Sequence, residues 1–85
     1  MRLVSEVRIM PTAFVMINAE VGAEERILKE LKSMKNVKEA HIIYGTYDII
    51  AKIEADTLDA LRDIVSQKIR RLDEVRSTLT SIIVK

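Results

Sequence analysis

Eighty-five residues carrying 14 basic and 13 acidic side chains allow one domain, and a formal charge of +1 excludes a broad electrostatic footprint for nucleic acid or anionic membrane. The chain has no Cys and one His, so disulfides, thiolate metal sites and the usual zinc sets are excluded. Its two glycines, Gly22 and Gly45, are too few for a phosphate-binding P-loop or a dinucleotide turn. A chain of this length buries only roughly 60–65% of its unfolded surface, which makes association attractive. The longest uncharged run is Ile9 to Ala19, and it contains Pro11. A membrane-spanning helix needs about 20 apolar residues, and Glu6 and Arg8 interrupt any signal-peptide core. The expected setting is the cytoplasm, with no cofactor, no metal, no membrane partner and no direct nucleic-acid partner.

Residues 1–10 lack a clear period and read as a leader or an extra edge strand. Thr12 to Glu20 is rich in β-formers and apolar on both faces. Ala13, Val15, Ile17 and Ala19 point one way, Phe14 and Met16 the other, as in a strand covered on both sides. From Ala23 to Met34 the spacing turns helical, with Ile27, Leu28, Leu31 and Met34 on one face. Glu24 and Glu25 in the first turn and Lys32 and Lys35 near the end suit the helix dipole, and Asn36 is the expected C-terminal cap. Val37 to Tyr44 alternates again, with Ala40, Ile42 and Tyr44 set against His41 and Ile43. After a tight connection at Gly45-Thr46, Tyr47 to Ala55 places Ile49, Ala51 and Ile53 inside and Ile50, Lys52 and Glu54 outside. Asp56 is the expected N-cap of a helix reaching about Arg71, with Leu58, Leu61, Ile64, Val65, Ile69 and Leu72 as its apolar stripe. Val75 to Val84 forms a last strand. Leu79 and Ile83 take one face, and Thr78, Thr80, Ile82 and Val84 take the other.

The order β-α-β-β-α-β is that of an α+β, ferredoxin-like sandwich with an antiparallel four-stranded sheet. Both helices cover one sheet face. The other face is expected to carry Phe14, Met16, Ile50, Ile82 and Val84, too much apolar surface to leave wet. At about 25 cal/mol per Å², covering it with a second copy contributes several kcal/mol. Two sheets packed face to face then form a dimeric α+β barrel.

The most distinctive segment is Tyr44-Gly45-Thr46-Tyr47-Asp48. As plain structure it is a turn in which Gly45 supplies positive φ and Asp48 caps a backbone N–H. As a ligand lip, Gly45 permits close approach of a backbone amide, Asp48 accepts hydrogen bonds from an ammonium group, and the tyrosines supply an apolar wall with polar tips. Thr78 and Thr80 are ordinary strand residues that also offer two hydroxyls on one face. His41 stands alone on a strand. Lys29, Lys32, Lys35 and Lys38, interleaved with Glu30 and Glu39, read as a solvated face.

Val37 to Ala55, V-K-E-A-H-I-I-Y-G-T-Y-D-I-I-A-K-I-E-A, resembles the strand, G-x-Y-D turn and apolar strand of the ligand-sensing domain of Lrp/AsnC transcription regulators. Gly45, Tyr47 and Asp48 match that motif residue for residue. Val75, Thr78, Thr80 and Ile82-Ile83-Val84 match the closing pattern, so the resemblance covers residues 12–85. It implies a single ligand-sensing domain over residues 11–85, dimers joined through their sheets, rings of dimers, and amino-acid effectors bound near the G-x-Y-D turn. By position, Tyr44, Gly45, Thr46, Tyr47 and Asp48 line that site, with Thr78 and Thr80 contributing. The family's regulators carry a helix-turn-helix domain ahead of this one, and ten residues are too few for it. The expectation is a stand-alone sensor that acts through protein partners, full-length Lrp/AsnC-type regulators among them. A ligand of about 9 heavy atoms at roughly 0.3–0.9 kcal/mol per atom binds in the micromolar to millimolar range. The competing reading is a small cofactor-free enzyme of the dimeric α+β barrel type, with His41 or Asp48 as acid or base. No acid–base pair can be placed for it.

Overall fold

The computed structural model describes residues 10–84. The expected leader or edge strand therefore lies outside the described residues, apart from exposed Met10. In chain order the elements are β1 (Thr12–Ala19), α1 (Glu24–Lys32), β2 (Val37–Ile42), β3 (Ile49–Glu54), α2 (Leu58–Asp63) with a π-helical continuation over Ile64–Ile69, and β4 (Val75–Ile82). The strands form one antiparallel sheet in the order β2-β3-β1-β4. This is the expected ferredoxin-like α+β arrangement, with β1 and β3 central.

Period-two alternation makes the core. Ala13, Val15 and Ile17 of β1 and Ile49, Ala51 and Ile53 of β3 are all 0% exposed. They share a cluster with Ile27 and Leu31 of α1, Leu61 of α2, and Ile64, Val65 and Ile69 of the π segment. Leu28, Met34 and Leu72 pack partly against it. Each buried side chain of this size is worth roughly 1.5–3 kcal/mol, so the two central strands and three helical faces supply most of the stability.

The turns have local causes. Ala23 N–H donates to the Glu20 carbonyl at 3.0 Å, and Gly22 takes φ +87° at the third position of that turn, a conformation glycine adopts without Cβ strain. Glu74 also has positive φ, +70°. Its carbonyl accepts from Glu20 N–H at 2.8 Å and its carboxylate pairs with Arg26, two contacts that offset a strain of about 1–2 kcal/mol.

Several expected boundaries shift. The N-cap of α2 is Thr57 instead of Asp56: its Oγ1 accepts from Ala60 N–H at 3.0 Å, the capping bond to the third helical residue. That cap leaves Leu58 in the first turn, 40% exposed, instead of on the buried stripe. The second helix does not run as α to Arg71. After Asp63 it widens, and Arg70 N–H donates to the Val65 carbonyl at 2.9 Å, a bond across five residues. The wider turn lets Ile64, Val65 and Ile69 all reach the core. Asn36 is not the cap of α1, whose last turn closes at Ser33; Asn36 Nδ2 donates instead to the Glu54 carbonyl at 2.8 Å and ties β2 to β3.

The second sheet face is not covered by the helices. Ala13 pairs with Ile82, Val15 with Thr80, Met16 with Leu79 and Ile17 with Thr78. Directly paired residues share a face. Thr78, Thr80 and Ile82 therefore lie on the helix side of edge strand β4, and Leu79 joins Phe14, Met16 and Ile50 on the open face. Ile83 follows them, since its N–H donates to the Thr12 carbonyl at 2.8 Å. Ile82, expected on the open face, is corrected by this register, while Val84, expected there too, lies beyond the last paired residue. With Met10, Pro11 and Leu58 they border an apolar cleft of about 790 Å³ beside the start of β1.

Candidate ligand-binding site

The Tyr44–Asp48 connection joins edge strand β2 to central strand β3. Ile43 N–H donates to the Asp48 carbonyl at 2.8 Å, and Asp48 N–H donates across the sheet to the Ile17 carbonyl at 2.9 Å. The Asp48 side chain continues that link, with Oδ2 accepting from Ala19 N–H at 2.8 Å. A charge-assisted bond of this kind is stronger than a neutral one and fixes the carboxylate at the end of β1. The capping role expected of Asp48 is thus present on one oxygen. Among the described residues, no hydrogen bond reaches the other, Oδ1.

Asp48 lines a cleft of about 330 Å³ with Asn18, Ala19, Arg76 and Ser77. The cleft sits where the β1–β4 ladder loses register. Asn18 pairs with Ser77 and Ala19 with Val75, so Arg76 is an extra, unpaired residue on β4. Asn18 Nδ2 donates to Ser77 Oγ at 3.1 Å and closes one wall. Arg76 Nε lies 3.9 Å from Glu20 Oε2, with both side chains largely exposed.

The other expected site residues are not gathered there within one chain. Tyr44, Gly45 and Thr46 are exposed at the tip of the turn, and Tyr47 is half-buried. Gly45 does not use positive φ, contrary to expectation, and nothing stands within 4 Å of where its Cβ would be. The connection turns through a run of bends over residues 44–48 without a left-handed residue. Thr78 is half-buried beside Ile17 on the helix side and Thr80 is exposed there. Thr78 borders a second, smaller recess with Arg70, Val75, Arg76 and Ser77. His41 is exposed on β2, 3.2 Å from Glu39 Oε1 and paired with Ile50 on the open face. Among the described residues no three metal-ligating side chains gather, and no helix is long and apolar enough to cross a membrane.

Asn18, Arg76 and Ser77 escaped sequence reasoning. One signal was available: Arg76 is the single charged residue between Val75 and Val84. The bulge at which it lines the same cleft as Asp48 depends on pairing that no single strand encodes.

Comparison with known proteins shows the family and the fold. The model of the Lrp/AsnC ligand binding domain matches residues 12–85. The regulatory protein AsnC of Haemophilus influenzae is 36% identical over 58 residues, which are 68% of this chain and 39% of that protein. The chain spans less than half the length of the first curated relatives it matches. Among solved structures, a hypothetical protein from Pyrococcus horikoshii superposes with a TM-score of 0.85 at 39% identity, covering 89% of this chain and 92% of that one. A Neisseria meningitidis transcriptional regulator, solved as an L-Met complex, shares the fold with a TM-score of 0.83 at 15% identity over 100% of this chain and 56% of that one.

Proposed function

As a member of the Lrp/AsnC ligand-binding domain family over residues 12–85, the chain carries, we propose, a sensor of small effectors, with amino acids as the effector class. The observation that carries this reading is Asp48. Its carboxylate is tied through Oδ2 to Ala19 N–H, Oδ1 receives no hydrogen bond among the described residues, and Asp48 lines a cleft of amino-acid scale, about 330 Å³. A carboxylate so placed suits an ammonium group. The L-Met complex of the Neisseria regulator supports the ligand class by analogy of fold. The curated relatives are named regulators, which favours a binding role over the enzyme reading. His41 adds nothing to the enzyme reading, since it lies on the open sheet face, paired with Ile50.

The domain works as an oligomer in this proposal. Phe14, Met16 and Ile50 are half-buried on a face that the helices leave open, beside Leu79 at 46% and Ile83 at 44% exposure. A second copy offers the same apolar set in return, and rings of dimers then bring the exposed turn residues Tyr44 to Thr46 against a neighbour. The signal passes through subunit assembly, full-length regulators of the same family included.

Titration calorimetry with each of the twenty amino acids tests the reading. Binding of at least one in the micromolar to millimolar range is expected, and Asp48→Ala weakens it at least tenfold. No heat with any of the twenty overturns it.

A further inference from the structure

We propose that Arg76 is the carboxylate anchor of the effector site, so that the cleft at the β1–β4 bulge reads both ends of an α-amino acid. The proposal rests on the amino-acid-sensor reading and assigns the half of the ligand that Asp48 cannot hold. Two opposite charges line this one cleft, Asp48 and Arg76. Among the described residues no ion pair joins them, because Asp48 Oδ2 is committed to Ala19 N–H and Arg76 leans toward Glu20 at 3.9 Å. Opposite charges held apart across a small recess match a zwitterion, whose ammonium and carboxylate sit on one carbon.

The bulge is what makes Arg76 available. In an unbroken ladder residue 76 would face a partner on β1, but the shift between Asn18 and Ala19 leaves it without one. Bulges next to binding sites commonly re-aim a side chain in this way. Guanidinium is also the group suited to carboxylate, since its planar fork donates two parallel hydrogen bonds. Ser77 and Asn18 satisfy one another across the wall, which leaves Arg76 as the cleft's cation. Its contact with Glu20 is long and exposed, at 61% and 57%, so a ligand carboxylate displaces a weak competitor. The turn tip, including the Gly45 amide, does not line this cleft, so the turn's amides of the same chain do not donate to a carboxylate bound there.

The test compares the amino acid that binds the wild-type chain best with its α-carboxamide, by calorimetry, on wild type, Arg76→Gln, Arg76→Lys and Glu20→Gln. The wild type is expected to prefer the acid to the amide at least tenfold. Arg76→Gln loses that preference by weakening the acid alone, with the amide unchanged. Arg76→Lys restores part of it, and Glu20→Gln tightens the acid two- to threefold by removing the competitor. A preference that survives intact in Arg76→Gln, or its absence in the wild type, overturns the assignment of Arg76 and leaves the sensor reading standing. If no amino acid binds the wild type, both fall. Unchanged thermal midpoints in the exposed-site variants separate these outcomes from misfolding.

Discussion

The two faces of the sheet are made by the same four strands and end in opposite states. On the helix side Val15, Ile17, Ile49 and Ile53 are 0% exposed, because α1, α2 and the π segment finish the packing within the chain. On the other side Phe14, Met16, Ile50 and Leu79 line up across β1, β3 and β4, and among the described residues no helix packs above them. One face is a completed core, while the other is half of one. The two helical segments of this domain form a single layer over its sheet, and a second layer over the open face is what the proposed pairing with another copy supplies.

Substitutions on either side sharpen that contrast. The largest effect belongs to the finished face: Ile17→Ala removes a fully buried side chain from between β1 and the helices and is expected to cost about 2–5 kcal/mol in chemical denaturation. Met16→Glu on the open face should leave secondary structure intact yet raise the dimer dissociation constant at least tenfold in sedimentation equilibrium, about 1.4 kcal/mol or more. Equal sedimentation of variant and wild type would break the comparison, since the open face would then need no cover. The smallest effect is local to the covering layer. Thr57→Ala removes the bond to Ala60 N–H and should lower stability by about 1 kcal/mol without changing association.

Much of this fold was legible because two periods alternate cleanly along the chain. The Ala13–Ala19 and Ile49–Ile53 alternations and the Ile27/Leu31 spacing give β1, β3 and α1 directly. Strand β4 was harder. Leu79 and Ile83 compete with Ile82 and Val84 as its apolar face, and only the pairing of Ala13 with Ile82 decides between them. Helix α2 hid its widening, because apolar residues at 61, 64, 65 and 69 suit an α-turn nearly as well as a π-turn. At the site, the G-x-Y-D motif pointed to Asp48, but its commitment to Ala19 N–H joins residues 29 apart in sequence. Asn18, Arg76 and Ser77 enter the cleft through a bulge, a property of two strands together.

That bulge has a counterpart. β2, the other edge strand, carries one extra residue as well: Val37 pairs with Ile53 and Glu39 with Lys52, leaving Lys38 unpaired. Each rim of the sheet thus has a break in its ladder occupied by a cation, Arg76 on one side and Lys38 on the other. A sheet rim left straight and neutral is a template on which further strands of any chain can grow. Here both rims are kinked and charged, which discourages edge-to-edge growth into fibres and leaves the apolar sheet face as the surface with most to gain from a partner.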